Sequence, residues 1–288
     1  MNIPINSWRK VEVEDEFRIV FLHHSIGQNI WNGNRQTTFS KMIEKISPRL
    51  SYKFYKKAAL PKLFEKYNKD FNADYSINEL TFPKRAKYGW HNYPYDYYNI
   101  WVKNGGNNNF MEEPTLKMLT KEFQVIIFKH CFPVCNIQPN RDNADINSDY
   151  KSITNYKLQY RALREKLSEF PDTKFILFTG AAQVKSQISE DEAKRAKEFF
   201  EWVIQEWDLP DDNIYIWDFY NLQTDGGIYF KDINAYSATN SHPNYFFSGY
   251  TSELLFNRII DVIKTNGFET TLTGERKNNE LFLARSVL

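Results

Sequence analysis

The chain has 288 residues, 42% of them hydrophobic and 25% charged. That balance supports a buried core and excludes an intrinsically disordered chain. Basic and acidic residues nearly cancel, for a formal net charge of +1, so there is no reason to expect nucleic acid or an anionic membrane as a partner. The two cysteines, Cys131 and Cys135, make no disulfide framework. The first ten residues lack an apolar segment with a small-residue cleavage site. No stretch reaches the roughly 20 apolar residues of a membrane span. A cytoplasmic location is the default expectation, although a precursor already trimmed of its signal would read the same way.

Taken in chain order, the first predicted strand covers 17–22 (Phe-Arg-Ile-Val-Phe-Leu) and ends abruptly in His23-His24-Ser25-Ile26-Gly27. An apolar, β-branched run of this kind reads as a parallel strand buried on both faces. A second strand is expected at 50–55. Residues 56–122 do not fit a strand–helix repeat and read as a long crossover insertion, rich in aromatics (Trp90, Tyr93, Tyr95, Tyr97, Tyr98, Trp101) and closed by Asn104-Gly105-Gly106-Asn107-Asn108-Asn109. The aromatic cluster has two readings, a stacking wall for a flat ligand or a small core holding the insertion together. The third strand, 123–128, runs into Lys129-His130-Cys131-Phe132-Pro133. A helix carrying Leu163, Leu167 and Phe170 on one face precedes the fourth strand at 174–179. Ser189-Glu190-Asp191-Glu192 is a capping box opening a helix with Ala196, Phe200, Val203 and Trp207 on its apolar face. The fifth strand is 214–219, where Asp218 reads as a cap. Asn240-Ser241-His242-Pro243-Asn244 reads as a polar loop before a last helix with Leu255, Ile259 and Val262 inward. Residues 265–288 form a C-terminal extension. Strands alternating with helices predict one α/β domain over 1–288 around a five-stranded, mainly parallel sheet with right-handed crossovers.

A serine just past the C-terminal end of a buried parallel strand lies where open α/β sheets place their ligands. A serine early and a histidine late are the parts of nucleophilic acyl chemistry, Ser25 as nucleophile and His242 as base. Each has a plainer reading: Ser25 as a helix cap, His242 as a turn-stabilising residue. His23 and His24 are neighbours at a strand end and point opposite ways, one to packing and one to the pocket. His24, His130 and Cys131 follow strand ends and are the candidates for lining a substrate pocket. The dispersed histidines and the lone Cys131–Cys135 spacing do not make a metal site, and no cofactor is expected.

These residues resemble the SGNH/GDSL hydrolase superfamily, in a divergent branch whose first block reads His-x-Ser-x-Gly followed by Asn-Ile. Here that block is His23-His24-Ser25-Ile26-Gly27 with Asn29-Ile30, and the last block is Thr239-Asn240-Ser241-His242-Pro243-Asn244. The resemblance spans roughly residues 17–264. It implies a flavodoxin-like three-layer α/β/α sandwich and an acyl-enzyme on Ser25, with the oxyanion held by the Ser25 N–H, by Gly105 or Gly106, and by Asn136. Two positions depart from the family pattern. The Gly-x-Asn-Asp block after the third strand is missing. The acid expected three residues before the histidine is Thr239. Asp232 or Asp225 could swing in, Asn240 or a backbone carbonyl could orient the ring in a dyad, or the site could be weak or dead. An amide in place of the acid lowers turnover about 10⁴-fold in the chymotrypsin-type triad.

The resulting expectation is an esterase acting on a small-molecule or carbohydrate ester, removal of an O-acyl group from a sugar being one candidate. A catalytically eroded carbohydrate-binding protein and a sugar O-acyltransferase are the alternatives. Acyl group, alcohol and oligomeric state are not written in the sequence.

Overall fold

The computed structural model describes residues 16–277 apart from 37–39, 41, 44–54, 85–86 and 142. Its centre is a parallel sheet of β1 (Phe17–His23), β2 (Tyr75–Thr81), β3 (Val125–Lys129), β4 (Lys174–Phe178) and β5 (Ile214–Trp217), in the order β2-β1-β3-β4-β5. Ile19–Leu22, Val125–Phe128 and Phe175–Phe178 have no exposed surface, which is why they are written in Val, Ile, Leu and Phe without alternation. The predicted α/β/α architecture is thus present.

Helices α1 (Ser25–Asn32), α2 (Ala59–Phe71) and the long α8 (Tyr245–Thr265) pack together. The short α3 (Pro94–Tyr97), continued by a π-helical turn (Tyr98–Lys103), packs with α5 (Ile153–Ser168). Helix α4 (Leu116–Glu122) leads into β3. Helix α6 (Glu190–Trp202) opens with the predicted capping box and ends in a π turn, Val203–Trp207. After β5 come α7 (Phe219–Thr224), capped by Asp218 as expected, and a small hairpin of β6 (Ala235–Ser237) and β7 (Asn240–Pro243). Among the described residues no helix is long and apolar enough to cross a membrane.

One expectation changes, and one pair of readings is resolved. The second strand is Tyr75–Thr81, inside the stretch read as an insertion. The segment 50–55 lies outside the described residues except Tyr55, which is in no strand. β2 is an edge strand with only Tyr75 buried, so it lacks the apolar run that marks the others. The aromatics at 90–101 are core: Trp90, Tyr93, Tyr97, Tyr98 and Trp101 are all buried. Phe82, Tyr97, Trp101 and Phe128 stack and edge against one another with ring centroids 4.8–5.7 Å apart.

The order 2-1-3-4-5 puts the topological switch between β1 and β3, since the chain leaves β1 for one side of the sheet and returns to the other. Ligand crevices of open sheets lie at that point, beyond the strands' C-terminal ends. Ser25 stands there.

Candidate active site

β1 delivers the chain to Ser25, the exposed first residue of α1. Two residues on, Gly27 lets the helix lie against the strand it came from. A methyl group at Gly27 would stand 2.2 Å from His23 Cβ. The spacing His-x-Ser-x-Gly is therefore a packing requirement that turns the serine out at a tight strand–helix corner. His23 is buried, its Nδ1 3.0 Å from the His24 carbonyl and its Nε2 3.1 Å from Glu79 Oε2. His24 reaches the end of β2, with Nε2 2.6 Å from the Pro83 carbonyl.

His242 belongs to β7 and not to a loop. Along a strand alternate residues share a face, so Asn240 and His242 face one way and Ser241 the other. Ser241 is buried; its hydroxyl accepts from Val184 N–H (2.9 Å) and donates to Gln187 Oε1 (2.5 Å). Gln187 Nε2 also donates to the Thr239 carbonyl, and Ser186 Oγ to the Ala238 carbonyl. The segment after β4 thus holds the hairpin. From the other side Asn29 Nδ2, one turn past Ser25 on α1, donates to the Pro243 carbonyl (3.0 Å). Phe132, from the loop after β3, packs edge-on to the His242 ring at 5.3 Å.

These supports bring His242 Nε2 to 2.9 Å from Ser25 Oγ, while Nδ1 lies 2.8 Å from Asn240 Oδ1. The same Oδ1 accepts the His242 backbone N–H at 3.1 Å. An atom accepting from a backbone N–H is the amide oxygen, so the ring nitrogen facing it carries the proton when the imidazole is neutral. Nε2 then presents its lone pair to the Ser25 hydroxyl, the tautomer a general base needs. Thr239, three residues before the histidine, sits in the hairpin turn with Oγ1 against Ser237 Oγ (3.3 Å). In a strand the residue two back faces the histidine, which is why position 240 holds the ring.

The other candidates are placed elsewhere. Asp225 ends α7 in a left-handed conformation, exposed, 3.8 Å from Lys231 Nζ. Asp232 is exposed, with its carbonyl taking the Ala235 N–H. Gly105 lies against the Trp101 carbonyl and beside Lys166, in the last turn of the helix that feeds β4. It is therefore at the end of the sheet where strands begin, because α3 and its π turn carry the chain away from the Ser25 end. Gly106 is tied there too, its carbonyl accepting from Thr115 Oγ1 (2.7 Å). His130 and Cys131 are buried. His130 packs edge-on to Tyr97 at 4.6 Å, with both ring nitrogens unpartnered among the described residues. Burial, with the neighbouring Lys129, holds that ring well below the usual imidazole range. Lys129 is itself fully buried, its ammonium on the His130 carbonyl (2.5 Å), and burial lowers its pKa. Cys131 N–H donates to the Asn92 carbonyl and its sulfur faces Asn92 Nδ2. Neither side chain faces an open pocket, because the segment before α3 covers the end of β3. Asn136 lies past the turn Phe132–Val134, half-buried, its carbonyl accepting from Gln138 Nε2 (3.4 Å). Asn29, Ser241 and Phe132 hold the pair together and carried no sequence signal of that role beyond the position of Asn29 in the first block.

No protein-family model matches the chain, and no curated protein does. A solved structure described as "The active site of a carbohydrate esterase displays divergent catalytic and non-catalytic binding functions" matches with 15% identity over 85% of this chain and 68% of that chain, at a TM-score of 0.35. At that level the likeness says nothing about chemistry here.

Proposed function

We propose that the chain is a serine esterase of the SGNH type, acting on an O-acylated carbohydrate through an acyl-enzyme on Ser25. The observation that supports this is the 2.9 Å approach of His242 Nε2 to Ser25 Oγ with the other ring nitrogen held on Asn240. Ser25 Oγ attacks the ester carbonyl as Nε2 takes its proton. The Ser25 N–H, at the positive end of α1, donates to the developing oxyanion, and Asn136 is the candidate for a further donor. The imidazolium then protonates the leaving sugar hydroxyl. Water enters, gives its proton to Nε2 and attacks the acyl-enzyme, which releases the acid and restores Ser25.

Asn240 orients the imidazole without supplying charge. A neutral amide serves in the same place in Cys-His-Asn triads. The imidazolium is therefore stabilised less than beside a carboxylate, which gives a slower enzyme. That same feature favours the second reading, a carbohydrate-binding protein on the same fold. A panel of acyl esters, with acetylated sugars among them, separates the two. Turnover that is lost in Ser25→Ala supports the esterase. Glycan binding that survives Ser25→Ala, with no turnover by the wild type, supports the binding protein.

A further inference from the structure

Asn29 and Asn32 lie one and two turns along α1 from Ser25, the first only about 6 Å of helix rise away. Together with Arg35, Tyr55, Tyr236 and Tyr245 they line a cavity of about 210 Å³, whose wall includes Pro243, the neighbour of His242. Arg35 is fixed in it: Nε donates to the Lys56 carbonyl (2.8 Å) and Nη1 to Asn32 Oδ1 (2.9 Å). A guanidinium has five N–H donors, and among the described residues Nη2 has no hydrogen-bond partner. A held guanidinium with unused N–H groups suits an oxyacid, most of all a planar carboxylate. Tyrosine faces and amide side chains suit the C–H faces and hydroxyls of a sugar ring.

Lys56, bonded both ways to Arg35 through its backbone, lines a separate recess of about 530 Å³ with Lys57, Lys62, Lys66, Phe246 and Tyr250. Four lysines meet one acid there, Glu253, among the described lining residues. The whole chain carries a formal charge of only +1, so this basic track is a local concentration and not a consequence of composition.

We infer that the alcohol half of the substrate is an acidic glycan. Its acyl-bearing region lies at Ser25, a uronate carboxylate sits on Arg35, and the chain continues along the lysines of α2. The inference deepens the esterase reading and rests on it for the placement of the acyl group, but binding tests it without turnover. Ser25→Ala protein, full length, is titrated calorimetrically with an oligogalacturonate and with a neutral xylo-oligosaccharide of equal length. At low salt the acidic oligomer binds at least about tenfold more tightly, a preference that shrinks severalfold near 0.5 M salt. Arg35→Gln weakens it about tenfold, the loss expected for one charge-assisted hydrogen bond. Because Arg35 also braces Lys56, the exposed pair Lys62→Glu/Lys66→Glu is the second variant, and it weakens the acidic oligomer several-fold while leaving the neutral one unchanged. Equal binding of the two oligomers, binding of neither, or co-sedimentation with phosphatidylglycerol vesicles in place of glycan binding would overturn the inference. Tight acidic-glycan binding by a protein whose wild type turns over no ester would uphold the acidic-glycan site and reject both the esterase and the glycan's role as the alcohol half of its substrate.

Discussion

At the residue scale the account rests on three side chains. Ser25→Ala should abolish ester turnover, and His242→Ala should lower it by at least about 10³-fold. Asn240→Ala frees the ring and loses the tautomer lock, so kcat should fall about 10- to 100-fold with KM little changed. Asn240→Asp places a carboxylate against Nδ1 and stabilises the imidazolium. Its kcat should equal or exceed that of the wild type, and the acidic limb of kcat/KM should move to higher pH, because activity needs the neutral ring. A kcat unchanged in both Asn240 variants would show that the contact does not orient the base. Ser25 and His242 were legible because each sits at a recognisable chemical boundary, an apolar strand end and a His-Pro-Asn start of a helix. The partner of Nδ1 was not, beyond a set of alternatives. Whether 240–243 is loop or strand decides which neighbour faces the ring, and a run of Asn, Ser, His and Pro carries no periodicity that reveals it.

At the scale of elements, the site depends on a corner and a hairpin. Gly27→Ala puts a methyl group into His23, and overpacking at such a contact costs about 1–3 kcal/mol. Thermal unfolding should show a lowered Tm together with reduced turnover. Ser241→Ala leaves the buried Val184 N–H without its acceptor, a loss of about 1–3 kcal/mol, and loosens the hairpin that carries His242. Turnover should fall although Ser241 faces away from the substrate; full activity with an unchanged Tm would contradict that support. The central strands were legible because burial on both faces writes them as apolar runs. β2 was not, since an edge strand with one buried residue reads as loop. The glycine donors were misplaced for a related reason: nothing in 94–106 tells which way the crossover runs relative to the sheet.

At the scale of the whole molecule, the pairing order that creates the switch point is a long-range property, and the fold class was inferred from alternation together with the family resemblance. Stability also has a whole-molecule signature. Burial pushes the Asp96 carboxyl up to about 7, against backbone N–H bonds from His91, Asn92 and Tyr93 that pull it down. Burial, and then the charge of Asp212, pushes Asp208 up to about 7 as well. Both bind a proton more tightly folded than unfolded. Their contribution to stability is complete below the ordinary carboxylate range near 4 and is lost as pH rises through about 7. Tm should therefore fall by a few degrees between about pH 5 and pH 8. Asp96→Asn keeps an oxygen for the backbone donors and should flatten that fall. A slope unchanged by the variant would remove Asp96 from the account.

The most direct test of the central claim is intact-mass labelling with a fluorophosphonate, applied to the wild type, Ser25→Ala and His242→Ala. An adduct on the wild type that is lost in both variants is the predicted result, since it reports a serine activated by that histidine. A folded wild type that takes no label, or a His242→Ala protein labelled as fast as the wild type, would contradict it.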